Sequence, residues 1–173
     1  MKLCIAISGL LMIAVSLVAA PVEYAGRINS LSEATSQVGR FPNSRGQFVQ
    51  SPCVLTELRR ILGAHYASYR EHLKLAGCGM LEQDGDFVVV DISQLHVGGY
   101  GSLIYIDVRA EKMYLFWLKE SVAERNWQIY GDRPIPKAVL ASIARRMNGE
   151  WGHVATFEFF GEYLIIKMKT GSG

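Results

Sequence analysis

Apolar residues between Ser51 and Gly79 recur at the spacing of an α-helix. From Leu55 to Leu73, six apolar residues follow one another at intervals of 3, 4, 4, 3 and 4 positions, a mean of 3.6. Ser51 and Pro52 suit an N-cap and a first turn, and Gly77 and Gly79 suit the end of the helix. We therefore predict one amphipathic helix, with Gly63 as the position at which it could break. Its stripe consists of Leu55, Leu58, Leu62, Tyr66, Tyr69 and Leu73.

Beyond this helix the pattern changes to short β-branched, alternating and aromatic runs. Three strands are predicted, over residues 86–92, 102–108 and 112–118, and the last two form a tight hairpin. Ile104 and Ile106 share one face of the middle strand. The other face carries Tyr105 but ends in Asp107, so we expect it to be only partly covered.

The C-terminal third predicts a short strand at 126–131, a second helix and a second hairpin. Pro136 suits the first turn of that helix, Asn148-Gly149 suits its C-cap, and Gly161-Glu162 suits a type II′ turn. The fold class is α+β: an antiparallel sheet of about five strands, with hairpins 102–118 and 153–168, packed with two helices. The second helix has the apolar stripe Val139, Leu140, Ile143 and Met147.

The N-terminus has the composition of an export signal. One lysine precedes an apolar run from Leu3 to Ala20 that ends in small residues. The run is at the lower edge of bilayer-spanning length and Pro21 disfavours a cut directly after Ala20, so a retained anchor is the alternative. We predict a signal peptide at 1–20, a flexible arm at 21–51, a single domain at 52–173, and a periplasmic or secreted location.

Charge and cysteines narrow the possibilities further. Removal of the predicted signal peptide also removes Lys2 and leaves 17 Lys and Arg against 16 Asp and Glu. A net charge this close to zero argues against nucleic acid as a partner. Cys53 and Cys78 form a possible disulfide in an oxidising compartment. An unbroken helix would hold them about 37 Å apart, whereas a disulfide needs Cα atoms within about 7 Å. We favour unpaired thiols or pairing with another chain.

No catalytic or metal-binding pattern emerges from the remaining chemistry. His65 and His72 lie two helical turns apart, about 10 Å, too far to share one ion, and His153 opens a strand. The chain has no G-x-S-x-G motif, and its Gly-Gly-Tyr-Gly run lacks the lysine and helix of a phosphate loop. Asp91 and Asp107 suit solvated strand ends. We predict no enzyme, no cofactor and no metal.

The segment 93–102 is the strongest candidate for function. About nine residues connect the predicted strands, more than a hairpin needs, and long connections in compact domains are enriched in function. Its glycines allow a narrow protrusion, and its histidine and tyrosine offer groups suited to another protein's cleft. A glycine-rich turn without a function is the competing interpretation. The predicted partner-binding residues are His96, Gly98, Gly99, Tyr100 and Ser102.

The order of helix, strand, histidine-bearing loop and Gly101-Ser102 resembles the periplasmic lysozyme inhibitors of the inhibitor-of-vertebrate-lysozyme type, over about residues 55–118. In that family a Cys-Lys-Pro-His-Asp-Cys loop, closed by its own disulfide and followed by Gly-Ser, inserts its histidine into the lysozyme cleft. Residues 95–100 here read Leu-His-Val-Gly-Gly-Tyr, without the cysteines and with the histidine two positions earlier. The resemblance implies a loop that plugs a cleft.

These patterns favour an exported, non-enzymatic protein that inhibits or neutralises an envelope-acting hydrolase, lysozyme-like or a toxin, through loop 93–102. One alternative is an envelope structural or small-ligand-binding module that uses an exposed apolar sheet face. Another is a hydrolase in which Asp91, Asp107 and His96 converge. The sheet-face alternative requires exposure of Tyr105, Tyr114, Phe116 and Trp117.

Overall fold

The computed structural model describes residues 21–42, 47–94, 101–118, 127–151, 155–160 and 163–169. The predicted signal peptide lies outside these ranges. Among the described helices, none is both long and apolar enough to cross a bilayer. The elements are a 3₁₀ helix Leu31–Gln37, α1 Pro52–Leu62, a 3₁₀ turn Gly63–His65, α2 Tyr66–Leu75, β1 Ala76–Cys78, β2 Glu82–Asp84, β3 Phe87–Gln94, β4 Gly101–Asp107, β5 Lys112–Leu118, β6 Trp127–Tyr130, α3 Lys137–Trp151, β7 Ala155–Phe160 and β8 Tyr163–Met168.

An antiparallel sheet of six described strands forms the centre of the fold. Its order is β1-β3-β4-β5-β6, and β2 pairs with β3 beyond the short β1. The strands predicted at 86–92, 102–108, 112–118 and 126–131 are confirmed as β3, β4, β5 and β6, with ends shifted by at most two residues. The α+β class is therefore confirmed.

Both faces of this sheet are covered. Residues such as Ile104, Ile106 and Trp117 pack on one face against α1, α2 and the N-terminal segment. Tyr105 and Phe116 pack on the other face against α3 and β7. The expectation of a partly covered second face is wrong, because α3 and β7 cover it. The charged end of that face, Asp107, uses Oδ1 to accept hydrogen bonds from the amides of Arg109 and Ala110 in the turn.

The N-terminal segment is part of the domain, and the prediction of a flexible arm at 21–51 is corrected for its described residues. Ala25, Ile28, Leu31 and Ala34 are buried in the first core, as are Phe48 and Val49 further along. Ser51 is fully buried and its Oγ accepts a hydrogen bond from the amide of Ile28 at 3.0 Å. This hydroxyl joins the segment to the start of α1.

The predicted single helix is interrupted at Gly63. Gly63 has a φ of 52° and ends α1, and a 3₁₀ turn leads into α2. The apolar stripe survives this interruption, because Leu58, Leu62 and Tyr69 all remain buried in the first core. Cys53 and Cys78 are both free thiols, as we favoured, although the break that a disulfide would have required is present.

The C-terminal elements differ from the prediction in two respects. The helix α3 continues through Gly149, and Asn148 instead exchanges two hydrogen bonds with the backbone of Phe157 in β7. The predicted hairpin 153–168 forms between β7 and β8, but as a separate two-stranded sheet. The Gly161-Glu162 turn lies outside the described residues. The apolar stripe of α3 is confirmed as buried.

The backbone packs closely on the sheet at Gly131, directly after β6. Its φ is 145°, and a Cβ there would lie 2.5 Å from Tyr114 Cδ1 and 3.1 Å from the Met113 carbonyl oxygen. We expect Gly131→Ala to lower the free energy of unfolding by about 2 kcal/mol, because strain and overpacking combine. Gly149→Ala, in open space within α3, is the control and should stabilise by up to about 1 kcal/mol. Urea unfolding measures the free energy of unfolding of each variant, and equal changes in the two would contradict the close packing at Gly131.

Candidate functional site

The structure describes the two ends of the predicted binding loop. His96, Gly98, Gly99 and Tyr100 lie outside the described residues. The last pair that joins β3 to β4 is Ser93 with Gly101, and β3 continues one residue further to pair with β1. The loop therefore starts and ends on two neighbouring strands inside the sheet.

Ser102, the last residue of segment 93–102 and the second residue of β4, is buried instead of exposed to a partner. Only 2% of its surface is accessible, and its Oγ lies 2.9 Å from the hydroxyl of Tyr69 and 3.3 Å from Nε2 of His72. A hydroxyl has one proton and two lone pairs, so Ser102 can donate to one neighbour and accept from the other. Its predicted role as a partner contact is therefore corrected: buried at the start of β4, Ser102 links this strand to α2.

Aromatic rings enclose this serine. Tyr69 and His72 are three residues apart on α2 and therefore lie on one face of the helix. Their ring centroids are 5.5 Å apart, and Trp117 packs at 5.1 Å from Tyr69 and 5.9 Å from His72. Trp117 is also the register partner of Ser102 on β5. We call Tyr69, His72, Ser102 and Trp117 the loop-base cluster.

Burial keeps the ionisable groups of the loop-base cluster neutral. It raises the pKa of Tyr69 well above its ordinary value and lowers the pKa of His72. Nearby Cys78 has its pKa raised to about 11, mainly by burial and secondarily by the charge of Asp91. At neutral pH the cluster therefore consists of an uncharged hydroxyl pair and an uncharged imidazole.

The loop-base cluster has the chemistry of a support and not of a nucleophile. Its serine and histidine are within hydrogen-bonding reach, as a nucleophile and its base would be. However, Ser102 is 2% exposed and His72 is 7% exposed, so a substrate cannot reach either side chain in this structure. The cluster instead fixes α2 against the first residues of β4.

The hydrolase alternative loses its pair of carboxylates. Asp107 is opposite Phe87 in the strand register, and Asp91 lies four residues further along β3. That places the two aspartates about 13 Å apart along the strands. The third member, His96, lies outside the described residues. Asp91 and Asp107 therefore do not act on a common atom in this arrangement.

The exposed apolar sheet face of the second hypothesis is not present. Tyr105, Tyr114 and Phe116 are at most 5% exposed and belong to the second core, whereas Trp117 belongs to the first. Three of them lie on one covered face and Trp117 lies on the other, so the four form no exposed common surface. Within the described part of the chain, no group of three or more His, Cys, Asp or Glu side chains could hold a metal ion.

The two described histidines, His65 and His72, differ in burial. His72 is buried, and His65 is exposed beside the ring of Tyr130. His153 lies outside the described residues. Sequence reasoning did not connect His72 or Tyr69 with Ser102, although their three-residue spacing indicates a shared helix face.

Comparisons with protein-family models, with curated proteins and with solved structures found no match for this chain. The function must therefore be inferred from the residues themselves.

The Tyr69–Ser102 hydrogen bond should be measurable as a coupling energy. Ser102→Ala leaves the buried Tyr69 hydroxyl without this partner, and we expect a loss of about 1–3 kcal/mol in unfolding free energy. Tyr69→Phe combined with Ser102→Ala should cost less than the sum of the single changes by about 1 kcal/mol. Tyr105→Phe combined with Ser102→Ala is the control and should be additive, because Tyr105 lies on the opposite sheet face. Additivity in both pairs would contradict the hydrogen bond.

His72 should make the stability of the protein depend on pH. Because burial lowers its pKa in the folded state, the unfolded chain binds the proton more readily. The stability contributed by neutral His72 is thus fully present above the unfolded pKa of about 6.5 and is lost as the pH falls below it. We expect urea midpoints to fall less between pH 7.5 and 5.0 in His72→Gln than in the native protein. His65→Gln changes an exposed histidine and is the control, whose urea midpoints should change with pH as those of the native protein do. The same change of midpoint with pH in all three proteins would contradict a contribution from His72.

Proposed function

We propose that this chain is an exported, non-enzymatic protein that binds and inhibits an envelope-acting hydrolase, lysozyme-like or a toxin, through loop 93–102. The observation that carries the proposal is that the described ends of this segment lie on the paired strands β3 and β4, and that Ser102 at its C-terminal end belongs to the buried loop-base cluster.

A loop anchored in this way binds with a smaller entropic cost than one attached to a mobile edge. β4 is hydrogen-bonded to strands on both sides, and β3 is paired with β4 on one side and with β1 and β2 on the other. Ser102 is additionally bonded to α2 at the foot of the loop. Fixing the ends of a binding segment before it meets its partner improves affinity because less order must be created on binding.

The side chains of the loop suit the cleft of a hydrolase. Histidine offers a donor and an acceptor, and tyrosine combines an apolar ring with a polar hydroxyl. A glycosidase cleft contains a pair of carboxylates that such groups can meet. The resemblance to the lysozyme inhibitors, whose loop histidine enters that cleft, supports the same mode of binding for His96, although the bracing disulfide of that family has no counterpart here.

Export is the second part of the proposal. Residues 1–20 have the composition of a secretory signal, and an inhibitor of an envelope hydrolase must reach the compartment in which that enzyme works. The periplasm or the extracellular space is therefore the proposed location. Cys53 and Cys78 remain unpaired in the fold, so its stability does not require an oxidising compartment.

The test is inhibition of peptidoglycan hydrolysis by purified c-type, g-type and i-type lysozymes and by a bacterial peptidoglycan-hydrolysing toxin. We expect the native protein to inhibit at least one enzyme, and His96→Ala with Tyr100→Ala to weaken inhibition at least tenfold, as is typical for loss of interface anchors. The matched control is His65→Ala with Tyr24→Ala, an exposed histidine and tyrosine outside the loop.

The control variant should inhibit as well as the native protein. Equal inhibition by the loop variant would refute the loop as the binding segment, and inhibition of none of the four enzymes would refute the proposed class of target. Circular dichroism of each variant ensures that a loss of inhibition is not a loss of folding.

A further inference from the structure

A groove separates α3 from the hairpin strand β7, on the side of the sheet opposite the loop-base cluster. Its volume is about 320 Å³, and its lining residues are Lys137, Leu140, Ala141, Ala144 and Phe159. This volume lies at the lower end of the range for small-molecule sites, about 300–1,000 Å³. The groove does not overlap the loop-base cluster and is independent of the proposed inhibitory function.

The walls of the groove are apolar for most of their length. Leu140 is 5% exposed and Phe159 is half-buried, so both belong to the edge of the second core. Ala141 and Ala144 have the smallest side chains of the wall, and the space they leave is the groove itself. Asn148 joins α3 to β7 through two hydrogen bonds to the backbone of Phe157, which fixes the position of the strand beside the helix.

One end of the groove is cationic. Lys137 is the first residue of α3, where the helix dipole also favours a negative charge. Lys74, Lys112 and Lys167 each form an ion pair with a carboxylate. Lys137 forms no ion pair with any residue that the structure describes. The groove therefore combines an apolar trough with an ammonium group whose charge is not neutralised by a described neighbour.

We propose that this groove binds a free, medium-chain carboxylate, with the apolar chain along Leu140, Ala141, Ala144 and Phe159 and the carboxylate at Lys137. Charge complementarity selects the anionic head group, because Lys137 is the only ionisable side chain among the described residues that line the groove. The apolar wall selects a hydrocarbon chain, whose burial is favourable in proportion to the area removed from water.

Isothermal titration of the native protein with decanoate tests this assignment. We expect saturable binding of decanoate, at least fivefold weaker binding of decanol, and no binding of decyltrimethylammonium. Lys137→Gln should weaken decanoate binding about fivefold and leave decanol binding unchanged, as expected for one partly exposed charge pair. Ala141→Leu should fill the trough and weaken the binding of both ligands at least tenfold.

Two controls match these variants. Lys74→Gln changes an exposed lysine of α2, and Ala67→Leu enlarges an exposed alanine of the same helix. Both should bind decanoate as the native protein does, and thermal unfolding should show that all four variants are folded.

Three outcomes would overturn the proposal. They are no saturable binding of decanoate, equal binding by Ala141→Leu, and equal affinity for decanoate and decyltrimethylammonium. Phosphatidylglycerol vesicles form a further arm: protein that sediments with them without binding free decanoate would identify a membrane surface in place of a free carboxylate. Lysozyme inhibition by Ala141→Leu should equal that of the native protein, so failure of the groove and failure of the loop are distinguishable.

Discussion

The burial of β4 on both faces is the constraint on which the rest of the fold depends. Its central residues, Leu103 to Ile106, are all at most 2% exposed. A strand with apolar side chains on both faces must be covered twice, because each exposed face would leave a large apolar area in water. The helical layers on the two sides are the consequence.

One tyrosine–serine hydrogen bond attaches β4 to each of these layers. On the first face Tyr69 of α2 meets Ser102 of β4 at 2.9 Å, and on the second face Tyr105 of β4 donates to Ser142 of α3 at 3.0 Å. The hydrophobic effect has no preferred direction, whereas a buried hydroxyl without a partner costs about 1–3 kcal/mol. These two bonds therefore determine the positions of α2 and α3 along the strand.

The sequence predicted the regular elements well, because regular elements have a period. Strand β5 was predicted at its observed bounds, and the buried stripe of α3 was predicted residue by residue. The N-terminal segment was missed because its core is irregular. A signal was nevertheless present: Ala25, Ile28, Leu31 and Ala34 recur every third residue, and the last two lie in the 3₁₀ helix, whose period is three. Strands β1 and β2 lack β-branched residues and form only because β3 offers an edge.

The sequence likewise revealed the candidate loop but not the side chains that support its ends. Loop 93–102 was visible as a break between two periodic runs, and its support was not, because Tyr69, His72 and Ser102 meet only through the packing of α2 on β4. The polar side chains of the cluster have a cost, since a valine at position 102 would fill an apolar core without needing partners. A serine restricts α2 to the one placement in which Tyr69 and His72 reach its Oγ. That restriction acts at Ser102, the C-terminal end of segment 93–102, so its hydrogen bonds to Tyr69 and His72 account for a polar residue at a position where packing alone would favour an apolar one.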